Sequence, residues 1–183
     1  MRMVFGLAFS EFICQPKMAD LEFWSDDHRF GLRILDKEVS QIVKICVRFN
    51  VEEVGGVLVG FYTAAHDCAE VKAVSEPPPD SRGSRTWFHR GVGGLQAWLD
   101  RLWYEVHHYY LGEWHFHPHG SPIPSTIDIR QLKETANSSR YKCPEPVLLI
   151  IGGDPAAEWI AAAYVFPRGG EPIELARTDE AMP

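Results

Sequence analysis

Two short runs of alternating apolar and polar residues, LEFW and RFGLRI, flank the turn-forming SDDH in residues 21–34 and predict a strand hairpin. Asp36 then offers an N-cap for a helix whose apolar stripe, Val39, Ile42, Val43 and Cys46, repeats at three- and four-residue intervals. VEEVGGVLVGFYT is rich in β-branched residues and predicts a strand. Its Gly55, Gly56 and Gly60 mark a place where another backbone or a ligand comes close. EVKAV makes a further short strand before the proline-, serine- and arginine-rich loop that fills residues 75–86. The segment GLQAWLDRLWYEVHHYY returns to helical spacing, with Leu95, Trp98, Leu99, Leu102, Trp103 and Val106 as a core-facing side.

LGEWHFHPHG resumes extended character, and Pro118 prevents any helix from running through it. SPIPS then leads into a helix over TIDIRQLKETANS, with Ile129, Leu132 and Ala136 on one side. PVLLIIGG and WIAAAYVF are two core strands joined by the turn GGDP, and IEL near the end is a last edge strand. Strands and helices alternate in a pattern that predicts an α/β or α+β sandwich, in preference to a helical bundle or a β-barrel.

Composition narrows the functional classes. In 183 residues, 45% are apolar and 23% charged, with six Trp, six Tyr and ten Phe, enough to build one compact domain. A formal charge of −7 works against attraction to a phosphate backbone, so nucleic acid is not an expected partner. No apolar run approaches the roughly 20 residues a membrane-spanning helix needs. Arg2 and MVFGLAF have some signal-peptide character, but Glu11 interrupts it and no small-residue cleavage site follows, so a cytoplasmic protein is expected. Cys14, Cys46, Cys68 and Cys143 are scattered without a CxxC and read as ordinary thiols. RGVGGL, with Gly91, Gly93 and Gly94, lacks the context of a phosphate loop and reads as a flexible or tightly packed helix entrance.

The chemistry gathers in HFHPHGSPIPSTID, residues 115–128. His115 and His117 are two apart, so on a strand they share a face with Cα atoms roughly 6.5 Å apart. Imidazoles so placed can bracket a zinc ion at about 2.0–2.1 Å from each nitrogen. Ser125 and Asp128 form the SxxD signature of a helix entrance, which helix capping alone explains. A carboxylate held on a first helical turn can also serve as a third ligand, leaving a fourth position for water, the open arrangement of a catalytic zinc. Such a water needs an acid/base, and Glu53 in EVGGVLVG is the candidate.

Taken together, Glu53 with Gly56 in ExxG, His115, His117 and Pro118 in HxHP, a six-residue spacer, and Ser125 with Asp128 in SxxD resemble the JAB/MPN, or JAMM, metalloprotease family, especially its bacterial members. The resemblance implies a curved mixed sheet flanked by helices, of the JAB/MPN (cytidine-deaminase-like) α/β type, in a single domain over residues 1–183 with its core over about 20–170. It further implies that His115, His117 and Asp128 are zinc ligands, Glu53 the water-activating acid/base, and Ser125 the group that stabilises the carbonyl oxygen or the oriented water.

Phe116 departs from the Ser or Thr usual between the two histidines, but on a strand it points away from them. By the same alternation Glu52 faces away from Glu53. His119 is expected at the rim, Glu113 as a solvated or structural acid, and His107 and His108 on the aromatic helix. The implied activity is peptidase or isopeptidase cleavage that matures or deconjugates a ubiquitin-like modifier, alongside E1/E2-like conjugation proteins and in antiviral defence. The loops at 75–90 and 137–146 are the candidate substrate contacts. Two other readings stand beside it: a non-enzymatic MPN-like scaffold or modifier-binding protein, and a hydrolase of small-molecule amides or sulfur carriers.

Overall fold

A computed structural model describes residues 18–178. The N-terminal stretch with faint signal-peptide character, Arg2 to Glu11, and Cys14 lie outside the described residues, as do residues 179–183. The expected hairpin forms as β1 (Leu21–Trp24) and β2 (Gly31–Ile34), followed by α1 (Asp36–Arg48), β3 (Val54–Tyr62) and β4 (Cys68–Val74). A two-stranded ribbon, β5 (Arg82–Gly83) with β6 (Phe88–His89), interrupts the proline-rich loop. Then come α2 (Leu95–Val106), β7 (Tyr109–Pro118), α3 (Thr126–Asn137), β8 (Val147–Gly153), β9 (Trp159–Val165) and β10 (Ile173–Arg177).

Eight of the strands make a mixed sheet in the order β1-β10-β9-β8-β7-β3-β4-β2, and its two edges meet. The expectation against a barrel is corrected here. Phe23 and Trp24 of β1 pair with Arg177 and Ala176 of β10, and β2 runs parallel to β4, so the curved sheet closes into a ring. Pairing across so long a stretch of chain has no local signature. The other parallel pair, β7 with β8, needs a crossover, which α3 supplies.

Strand alternation sorts the side chains into two populations. Val54 and Leu58 of β3, Leu111, Trp114 and Phe116 of β7, and Val147, Leu149 and Ile151 of β8 point into the main core, where they meet Val39, Ile42, Ile45 and Cys46 of α1. The opposite faces carry the other helices. α2 covers Val57, Val59 and Tyr110, while α3 covers Leu148, Ile150 and Tyr164. Trp114 and Phe116 are fully buried, and each contributes on the order of 150–250 Å² of hydrophobic burial that pins β7 in its register. Because Phe116 is spent on the core, His115 and His117 are turned to the outer face beneath α3.

Three local expectations change. Asp36 is the first helical residue of α1, with Leu35 in the cap position, and the Asp36 N–H is bonded by Asp20 Oδ1 at 2.8 Å. The second helix stops at Val106: His107 takes a left-handed conformation, φ 57°, that ends it, so His107 and His108 lie between helix and strand. Its aromatic side is only partly core, since Trp103 is 55% exposed and Val106 49%. The glycine-rich entrance of α2 does bind an anion, but one belonging to the protein. Asp80 accepts from the N–H groups of Val92 (3.0 Å) and Gly93 (2.8 Å), and a Cβ at Gly91 would collide with its carboxylate. These amides hold the Asp80 carboxyl below the usual range and tie the proline-rich loop to α2. Cys46, Cys68 and Cys143 are free and buried. Among the described residues no helix is long and apolar enough to cross a membrane.

Candidate functional site

β7 presents Glu113, His115 and His117 on one face, and α3 begins directly above them. Ser125 is the N-cap of α3 and forms a full capping box. Its Oγ accepts from Asp128 N–H at 3.2 Å, and its own N–H donates to Asp128 Oδ2 at 2.7 Å. The cap occupies only one oxygen of Asp128. The other, Oδ1, lies 3.0 Å from His115 Nδ1, so the residue that starts the helix also reaches the strand.

His115, His117 and Asp128 each place a donor atom within 4.8 Å of the others, and this trio could hold a metal ion. The environment decides which nitrogen each ring offers. His117 Nδ1 is 3.1 Å from the carbonyl oxygen of Ser121; a carbonyl only accepts, so Nδ1 carries the hydrogen and Nε2 keeps the lone pair. His115 is buried between two carboxylates, Asp128 at Nδ1 and Glu113 at Nε2 (3.4 Å). Burial alone would depress its pKa, but the bonds to Asp128 and Glu113 outweigh it and raise the value to about 9. Burial likewise opposes ionisation of Asp128, yet the bond from His115 holds that carboxyl well below the ordinary range.

Glu53 lies just before β3 in the extended link rather than within the strand, and its N–H is fixed by the Ser84 carbonyl at 2.7 Å. Partial burial raises its pKa and Asp128 adds to the effect, while His117 and His115 oppose it. The carboxyl is thus close enough to the trio to feel all three members. Glu52 is exposed. A cleft of about 250 Å³ opens beside Glu53, walled by Phe49, Pro77, Pro79, Arg82 and Phe88. His119 sits exposed in the turn after β7, a rim position.

The glycines of β3 now have separate tasks. A Cβ at Gly55 would collide first with the Trp114 carbonyl oxygen, then sit 2.8 Å from His115 Cδ2 and 3.0 Å from Phe88 Cε1, so this glycine makes room for the β7 backbone and for the ring. Gly56, the glycine of ExxG, lies under Trp114, whose indole N–H donates to the Ser75 carbonyl at 3.2 Å. Gly55→Ala is therefore expected to cost about 1–3 kcal/mol and to weaken metal binding. Gly120→Ala, where the nearest atom would be His117 Cβ at 3.5 Å, should change neither. Thermal melts with metal titration of both variants compare them directly.

Of the two expectations for Glu113, a solvated or a structural acid, the structure gives the second. Its side chain is 5% exposed and accepts from Arg90 Nη2 at 2.9 Å and from Tyr110 OH at 3.4 Å in addition to facing His115. The signal was present in the strand alternation, which puts residues 113, 115 and 117 on one face.

Known proteins agree with this architecture. A solution structure of the protein DSY2949 from Desulfitobacterium hafniense shares the fold, with a TM-score of 0.53 over 79% of this chain and 88% of that one at 18% identity. The chain is 42% identical over 156 residues, 85% of its length and 86% of the relative's, to a CD-NTase/cGAS isopeptidase of Enterobacter hormaechei subsp. hoffmannii (strain UCI 50). It is 27% identical, over 72% of this chain and 81% of the other, to a probable metalloprotease, y4qB, of Sinorhizobium fredii (strain NBRC 101917 / NGR234). Residues 36–164, which run from α1 into β9 and include Glu53, both histidines, Ser125 and Asp128, match the prokaryotic homologs of the JAB domain, and the chain belongs to that family.

Proposed function

We propose that this chain is a zinc-dependent isopeptidase that removes a ubiquitin-like modifier from its protein conjugates or trims the modifier's precursor. The observation that carries the reading is the meeting of two imidazoles and a carboxylate, beside Glu53, in a JAB-family chain 42% identical to a named isopeptidase. His115, His117 and Asp128 are the ligands in this reading, and two nitrogens with one oxygen are a donor set that suits catalytic zinc. Their 4.8 Å limit of separation asks for little closure around an ion at about 2.0–2.2 Å from each donor. When bound, zinc supplies Lewis acidity, acidifying water and polarising a carbonyl.

The chain's own groups then divide the proton work. Glu53 takes a proton from the attacking water and returns it to the departing amine, so a C–O bond forms as the C–N bond breaks. Its partly buried position raises its pKa and suits a group that must both accept and give. Ser125 Oγ accepts the capping bond but keeps its own hydrogen, free to be donated to the carbonyl oxygen as charge develops there. A scaffold that only held a modifier would have no use for an acid/base beside three metal donors.

An extended modifier tail enters along the cleft beside Glu53, with loop 75–90 as one wall and loop 137–146 as a second contact. By the relative's name, the conjugate's other half is a protein of the CD-NTase/cGAS kind. The setting is cytoplasmic, alongside E1/E2-like conjugation proteins in antiviral defence. The test mixes the zinc-loaded chain with fusions of ubiquitin-like proteins encoded nearby, with their conjugates, and with an unrelated unfolded protein, and locates cuts by intact mass. One cut after the modifier's last residue is expected, because positioning a single carbonyl contributes several kcal/mol to the rate. Broad digestion of the unfolded protein without preference for any modifier junction would sink the substrate assignment.

A further inference from the structure

Glu113 is an expensive residue to bury. An ionised carboxylate at 5% exposure must recover its hydration from neighbours, and a salt bridge to Arg90 alone would satisfy only one of its oxygens. The two oxygens have different partners: Oε1 receives Arg90 Nη2 (2.9 Å) and Tyr110 OH (3.4 Å), and Oε2 faces His115 Nε2 (3.4 Å). Arg90 is itself mostly buried and follows directly on β6, so it connects the ribbon beside the cleft to the rear of the imidazole. His115 Nδ1 meanwhile points at Asp128. The ring is thereby held between an acceptor behind it and the donor trio in front, with Phe88 against its edge at 5.8 Å between centroids.

We infer that Glu113 is a positioning residue. Held by Arg90, it keeps the hydrogen of His115 on Nε2, so that Nδ1, and not Nε2, is presented to the metal. His117 is oriented by the Ser121 carbonyl in the opposite sense, with Nε2 forward. The two imidazoles therefore offer unlike nitrogens, each determined by what stands behind it. This inference rests on the metal-site reading above.

The native zinc-loaded chain, labelled with ¹⁵N, tests the assignment by two-bond ¹H–¹⁵N spectra of the histidine rings. The expected pattern is His115 protonated at Nε2 and metal-bound at Nδ1, with His117 the reverse. Glu113→Leu, which has no acceptor, should weaken zinc affinity by about 10- to 100-fold and alter the visible spectrum of the cobalt form. Glu113→Gln, which retains an acceptor oxygen, should recover most of the affinity. A native spectrum with His115 bound through Nε2, or a folded Glu113→Leu chain that holds zinc as tightly as the native one, overturns the inference and leaves the metal site intact. The native spectrum decides even if Glu113→Leu does not fold. A native chain that takes up no zinc overturns the metal-site reading, and this inference with it.

Discussion

Glu53→Gln is expected to lower hydrolysis by about 100- to 10,000-fold, the range for removal of a positioned acid/base, while zinc content and the melting temperature stay close to native. Gln has nearly the size of Glu but neither takes nor returns a proton. The fold should tolerate the change. Glu53 is anchored through its backbone N–H to Ser84, which the substitution leaves in place, and its side chain is only partly buried. Glu52→Gln is the control: Glu52 is exposed, and its loss should alter the rate little. Steady-state rates on one labelled isopeptide substrate, with zinc measured on the same preparations, make the comparison. A fully active Glu53→Gln chain beside an inactive Glu52→Gln chain would reverse the assignment of the two glutamates.

His117→Ala should abolish stoichiometric zinc binding, from about one ion per chain to a small fraction of that, because a trio reduced to two donors lacks the three protein ligands of a catalytic site. This residue gives a cleaner test than His115. His117 is half-buried, and its truncation leaves the Ser121 carbonyl near solvent. His115 is buried, and removing it strands Glu113 and Asp128 without their shared partner, a loss of several kcal/mol that would confuse folding with binding. Elemental analysis after dialysis, with circular dichroism to establish the fold, is the measurement. Full zinc retention after removal of both imidazoles would reject the trio.

Much of the site was legible because it is written in local periodicities. A two-residue repeat puts His115 and His117 on one strand face, and the same repeat sends Phe116 to the core, where it is fully buried. SxxD is a short-range hydrogen-bonding pattern, and the capping box at Ser125 and Asp128 follows from it. Only the resemblance to JAMM motifs links Glu53 to the histidines across so long a stretch of chain, and residues 36–164, which hold them all, belong to the JAB family. The eight strands of the sheet and the three helices were likewise visible in their apolar repeats, with errors at the edges, whereas the β5–β6 ribbon falls where only a loop was expected. Asp36 begins α1 where a cap was expected, because Asp20, not adjacent in sequence, supplies the bond.

The sequence by itself determined which strand side chains share a face and where the Ser125 cap falls, since these depend on neighbours within a few residues. Tertiary structure decided what depends on distant partners. It closed the sheet through Phe23 and Arg177, filled the glycine-rich helix entrance with Asp80, and left Trp103 exposed on a helix whose spacing predicted core. It also decided between a solvated and a structural Glu113 and set that acid behind His115, because only the fold brings Arg90 and Tyr110 to its other oxygen. A buried charge takes its meaning from the groups that replace its water, and those groups are assembled by the whole chain.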